Sequence, residues 1–162
     1  MTTLHASPAL SRRRLLAGAA ALAALPTAAL SQAPSPIAVE VWKSPTCGCC
    51  KDWIKHIEAQ GQFKAVVREV GNTQARARLG IPLKLGSCHT AKVGPYAIEG
   101  HVPAREMLRL LKERPDAVGL AVPGMPIGSP GMDGPEYGGQ RDAYQVLLVL
   151  RDGSTRPYAR YA

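Results

Sequence analysis

Apolar positions along the chain recur at two different spacings. The run IAVEVW (37–42) is rich in β-branched residues and predicts a strand. KSPTCGC follows as a turn. From Cys50 onward, Trp53, Ile54 and Ile57 recur at helical spacing, while Lys51, Asp52, Lys55, His56 and Glu58 take the polar face, so a helix is expected up to Gly61. FKAVVREV (63–70) predicts a second strand, NTQARARLG a short helix closed by Gly80, and KVGPYAIEG (92–100) a partly extended stretch. VPAREMLRLLKERP predicts a helix with Pro103 at its start, a core stripe of Met107, Leu108 and Leu111, and Pro115 as its stop. Residues 119–139 are dominated by Gly and Pro and read as one long loop. YQVLLVL (144–150), the turn RDGS and TRPYARY then form a closing β-hairpin.

Strand, helix, strand, helices and hairpin make an α/β chain. A cysteine motif in the first strand-to-helix turn matches the layout of a thioredoxin-like fold. The expected architecture is that fold with an inserted segment and a long Gly/Pro-rich loop before the C-terminal hairpin. In such folds this loop faces the cysteine turn, and Pro123 or Pro126 is a candidate for a cis bond there.

The first 33 residues differ in kind. SRRRLL (11–16) precedes the mildly apolar run AGAAALAAL, then Pro26 and small residues as far as Ala33. These are the parts of an export signal, and the paired arginines match the twin-arginine variant. The apolar run is shorter than the roughly 20 residues that span a bilayer. Residues 1–33 are therefore read as a signal peptide and 34–162 as the working domain, located in a bacterial periplasm with no stable membrane insertion after the signal is removed. The formal charge of +8 includes Arg12, Arg13 and Arg14; without them, 17 basic and 12 acidic residues leave +5. No basic stripe with interleaved aromatics is present, so nucleic acid is not an expected partner.

Three of the four cysteines, Cys47, Cys49 and Cys50, fall within four positions at a helix start. The helix N-terminus and nearby Lys43 and Lys51 favour thiolate over thiol. In an oxidising compartment such thiols become disulfides unless a metal or redox partner protects them. A redox motif needs only Cys47 and Cys50, and Cys49 is surplus to it. Cys88 and His89 stand side by side further on, giving four sulfurs and an imidazole in all. Soft thiolates select Cu(I), Zn(II) or iron–sulfur clusters. Iron–sulfur spacings are absent, and the adjacency of Cys49 and Cys50 suits bridging of several Cu(I) ions. Met125 and Met132, on the Gly/Pro loop, are further soft donors, and each is otherwise a hydrophobic contact. His101 precedes a helix and reads either as a cap or surface group or as a site residue. Met107 belongs to the packing stripe, and His56 is expected at the surface.

The stretches VWKSPTCGCCKDWIKHIEAQG, SCHTAKVGPYAIEGHVPA and GLAVPGMPIGSPGM resemble the periplasmic CopG-type copper-resistance proteins, a family distinct from the DNA-binding repressors of that name. The resemblance runs from about Ile37 to Leu150. It implies a thioredoxin-like fold, a role in copper tolerance, and a small copper cluster bridged by Cys47, Cys49, Cys50 and Cys88 with His89 close by. Gln62 between Gly61 and Phe63, and Pro95 in GPY, depart from the family's usual pattern, and neither touches a proposed ligand. The expected partners are copper ions and other periplasmic copper-handling proteins. The expected function is to hold Cu(I), with cycling to Cu(II) as an open question. Two alternatives stand beside it: a thiol–disulfide oxidoreductase using Cys47 and Cys50, and a structural zinc module.

Overall fold

A computed structural model of the protein describes residues 35–59 and 61–162. The signal-like segment 1–33 lies outside them. Strand β1 (Ile37–Lys43) runs into helix α1 (Gly48–Glu58), then β2 (Phe63–Arg68), α2 (Thr73–Arg78), β3 (His89–Val93), β4 (Tyr96–Glu99), α3 (Ala104–Glu113), β5 (Gly119–Ala121), β6 (Tyr144–Val149) and β7 (Thr155–Tyr161). The strands form one mixed seven-stranded sheet in the order β2-β1-β3-β4-β5-β6-β7. β1 pairs in parallel with β2 across the α1 crossover, and β4 with β5 across α3; the other neighbours are antiparallel. No helix among the described residues is long and apolar enough to cross a membrane.

Strand alternation sorts the core. Val39, Val41, Ala91, Val93 and Ile98 point to one face, where Trp53 and Ile57 of α1 and Met107 and Leu110 of α3 cover them. Met107 is fully buried, as its stripe predicts. Ala97, Ala121 and Val149 meet Ile81 and Leu85 in a smaller cluster.

Three expectations need correction. The Gly/Pro loop does not begin at residue 119, because Gly119–Ala121 is a buried strand. Three residues give no periodic signal, and its first is a glycine for a steric reason. A Cβ on Gly119 would fall 1.8 Å from the Ala97 carbonyl oxygen, so only glycine permits that approach to β4. No peptide bond among the described residues is cis, so Pro123 and Pro126 are both trans.

His56 is a third correction. It is half-buried rather than exposed, and the Ala104 N–H donates to its Nε2 (3.3 Å). The ring thus caps α3, whose Pro103 offers no side-chain acceptor. Burial lowers the His56 pKa, against an opposing pull from Asp133. As pH falls below about 6.5 the unfolded chain takes up the proton first. The cap's contribution is therefore complete above that value and is lost as pH drops through the folded-state pKa. His56→Ala should cost about 1 kcal/mol at pH 8, as loss of an N-cap does, and less at pH 5. Urea melts of both proteins at the two pH values check this; an equal cost at both would contradict it.

Candidate metal centre

The centre forms where α1 begins. Cys47 is the N-cap: its backbone is extended, and its Sγ accepts the Cys50 N–H at 3.3 Å, so sulfur takes the part a hydroxyl usually plays. The first turn then carries Cys49 toward the surface and Cys50 into the interior. Cys88 arrives from the segment that enters β3. Its Sγ lies 3.5 Å from Cys50 Sγ and 3.8 Å from Cys49 Sγ, and Cys49 Sγ lies 3.6 Å from Cys47 Sγ. All four sulfurs lie within 4.8 Å of one another. Cys47 and Cys50 are joined by a disulfide, while Cys49 and Cys88 are free thiols.

Two histidines back the sulfurs from the interior. His89 opens β3 opposite Lys43 and is fully buried. Its Nδ1 is 3.5 Å from Cys88 Sγ, and its ring lies against Trp53 with centroids 4.2 Å apart. His89 Nε2 meets no hydrogen-bond partner, alone in this among buried side-chain nitrogens and oxygens of the described residues. Such an orphan costs about 1–3 kcal/mol; the nitrogen that faces Cys88 is Nδ1, and that is the atom a metal ion at Cys88 could take. Burial, then the neighbouring His101 and Lys43, hold the His89 pKa well below its ordinary value, so the ring stays neutral.

His101 is also fully buried, which rules out a surface role. Its Nδ1 donates to the Pro130 carbonyl (2.8 Å), which leaves the lone pair on Nε2, 3.1 Å from Cys88 Sγ. A ring nitrogen fixed by a carbonyl while the other faces a soft donor is the usual arrangement of a metal-binding histidine. Cys88, His89 and His101 thus form a second donor group that shares Cys88 with the four-sulfur group.

The Gly/Pro loop closes over the turn. Met125 Sδ is 4.0 Å from Cys49 Sγ, and the side chain is half exposed. Met132 goes elsewhere: it is buried, and its Sδ accepts from Tyr137 Oη at 3.3 Å. Gly131 sits against the first turns of α1. Lys43, expected to add positive charge to the turn, is buried with Nζ donating to Ser44 O (2.8 Å) and paired with Glu69 Oε1 (3.0 Å).

A family described as "Protein of unknown function, DUF411" matches residues 85–132, the stretch that holds Cys88, His89, His101, Met125 and Met132. No curated protein matches the chain. Two solved structures are similar over nearly their whole length. "Copper resistance protein copG- Form 2" is 48% identical with a TM-score of 0.71, and the match covers 78% of this chain and 99% of that one. "Copper resistance protein copG- Form 1" is 49% identical with a TM-score of 0.70, covering 78% and 98%. The chain belongs to the CopG-type copper-resistance family.

Within this CopG-type centre, burial and then the charge of Cys49 push the Cys88 thiol up to about 12, so at neutral pH it carries its proton. A metal ion entering at Cys88 must displace that proton, and His101 Nε2 lies within reach of it. Unlike Cys47, Cys49 and Cys50 at the start of α1, Cys88 belongs to no helix, and its partial burial dominates the state of its thiol.

Proposed function

We infer that this protein is a copper-binding protein of copper resistance, which holds Cu(I) among Cys47, Cys49, Cys50 and Cys88, with His89 and His101 completing the inner side and Met125 the outer. The convergence of four sulfurs within 4.8 Å carries this reading. Thiolates and thioether are the donors Cu(I) prefers. Once the Cys47–Cys50 disulfide is reduced and copper displaces the thiol protons, thiolates so close together repel one another unless cations lie among them, which favours more than one ion per chain. The strand order β2-β1-β3-β4, with α1 joining two parallel strands and the cysteines in its first turn, supports a thioredoxin-like core. The charged start and mildly apolar run of residues 1–33 support twin-arginine export, with 34–162 working in the periplasm.

A direct test is copper content after anaerobic purification of residues 34–162 from cells grown in mixed metals. More than one copper per chain is expected, and Cys49→Ala should lose most of it. Full loading of that variant, or zinc in place of copper, would overturn the reading.

The Cys47–Cys50 disulfide favours a second reading, a thiol–disulfide oxidoreductase. That activity would appear in metal-free protein as disulfide transfer to a reduced substrate, and Cys88→Ala would leave it intact.

A further inference from the structure

Behind Cys88 lies a buried polar network that the metal-binding reading leaves unused. Glu99, at the end of β4, is fully buried. Its Oε1 accepts from the Ser87 N–H (2.7 Å) and from Arg76 Nε (2.8 Å), and its Oε2 accepts from Thr90 Oγ1 (2.6 Å). Arg76, from α2, also donates through Nη2 to the Ser87 carbonyl (2.6 Å), and Asn72 Nδ2 donates to the same oxygen (3.1 Å). Both backbone groups of Ser87 are thereby fixed, and its carbonyl belongs to the peptide bond that leads into Cys88.

The same residue reaches outward. Ser87 Oγ donates to the Gly124 carbonyl, and the Gly124 N–H donates to Gly86 O (3.1 Å). Met125, beside Cys49, is the next residue. Gly100 allows this crowding, since a Cβ there would lie 2.5 Å from both Ser87 Oγ and Val122 O at a φ of +70°.

We propose that Glu99 and Arg76 are positioning residues of the metal centre: together they clamp the Ser87–Cys88 peptide, and through Ser87 they set both the Cys88 sulfur and the Met125 loop. Stability alone is a poor reason for this network, because a buried ion pair is often no better than an apolar pair of the same volume. The donors and acceptors converge instead on residues 86–88, which belong to no helix or strand and bring Cys88 to the sulfur site. Arginine suits the task because its planar fork serves a carboxylate and a carbonyl at once, which the single ammonium of lysine does not. The copper arm of the test below rests on the proposed function; the alkylation arm does not.

The experiment compares the full-length parent with Arg76→Lys, which keeps the charge opposite Glu99, and with Ser87→Ala, which removes only the outward arm. In reduced, metal-free protein, iodoacetamide labelling followed by peptide mass analysis reads each cysteine separately. Arg76→Lys should speed labelling of Cys88 several-fold and of Cys49, which feels the change only through the Met125 loop, by clearly less. Ser87→Ala should speed Cys49, which loses the Met125 cover, more than Cys88. Once loaded with copper, Arg76→Lys should shift the thiolate-to-copper absorption and release the metal to a chelator about 10–100-fold faster, the usual effect of removing support behind a ligand. Parent-like labelling and release in both variants would overturn the proposal, as would an equal rise at all cysteines, which signals general loosening. If the parent holds no copper, the proposed function fails, and the labelling pattern alone decides the clamp.

Discussion

Replacing Cys88 by alanine is expected to lower copper retention more than any other single change in the chain. Cys88 belongs to both donor groups, the four sulfurs and the pair of histidines, so its loss separates them. Removing only outer support of a metal ligand costs about 10–100-fold in affinity; losing a shared ligand should cost at least about 100-fold. Histidine Nε2 of residue 101 would also face an empty space where it now meets sulfur at 3.1 Å. The measurement is competition for Cu(I) against a chelator of known affinity, at pH 7 and under argon. Copper affinity equal to the parent would exclude Cys88 as a ligand, and unchanged disulfide transfer in the same variant would move the reading to the oxidoreductase alternative. Because the Cys88 thiol is pushed up to about 12, parent affinity should also rise with pH across the neutral range, and the variant should lose that part of the slope.

The second large effect should come from a residue with no donor atom at all. Gly131 has φ +85°, and a Cβ there would lie 2.6 Å from both the Cys49 carbonyl oxygen and the Trp53 nitrogen, backbone atoms of α1. Gly131→Ala therefore adds a left-handed penalty of about 1–2 kcal/mol to an overpacking penalty of about 1–3 kcal/mol. The chain can relieve the clash only by moving the loop off the helix, which draws the neighbouring Pro130 carbonyl away from His101 Nδ1. The expected result is a fall in melting temperature on the order of 10 °C together with faster copper release. A variant that melts and holds copper like the parent would show that the loop does not press on α1.

What the sequence made legible follows from how far each signal travels along the chain. Cys47, Cys49 and Cys50 stand out because their chemistry is local: adjacency and a helix start suffice. Helices α1 and α3 announce themselves through Trp53–Ile57 and Met107–Leu111, whose spacing spans whole turns. His101 was harder to read. Its neighbours, Gly100 and Pro103, speak of a helix entry, and its partner lies 13 residues away. The hairpin carries the missing information. Thr90 pairs with Glu99 in the β3–β4 ladder, and extending that antiparallel register sets His89 opposite Gly100 and Cys88 opposite His101. Glu99 reads from sequence as an ordinary strand-end acid, because nothing near it in the chain reveals Arg76. Strand β5 escaped because three residues carry no period, and His56 because its polar-face position says nothing of the helix that packs over it.

Apart from Met125, the loop after β5 serves the centre through main-chain atoms: the Gly124 and Pro130 carbonyls and the bare Cα of Gly131. Side-chain identity in that stretch is constrained mainly where the backbone demands glycine, at Gly124, Gly128 and Gly131, and at the buried Ser129, whereas residue count constrains the whole of it. Seven positions, from Gly124 through Met125 and Pro130, must bring a thioether over one edge of the sulfurs and a carbonyl under the far imidazole. With Gly124 held by Ser87 and Gly86, one residue more or fewer between Met125 and Pro130 would put one of the two out of place.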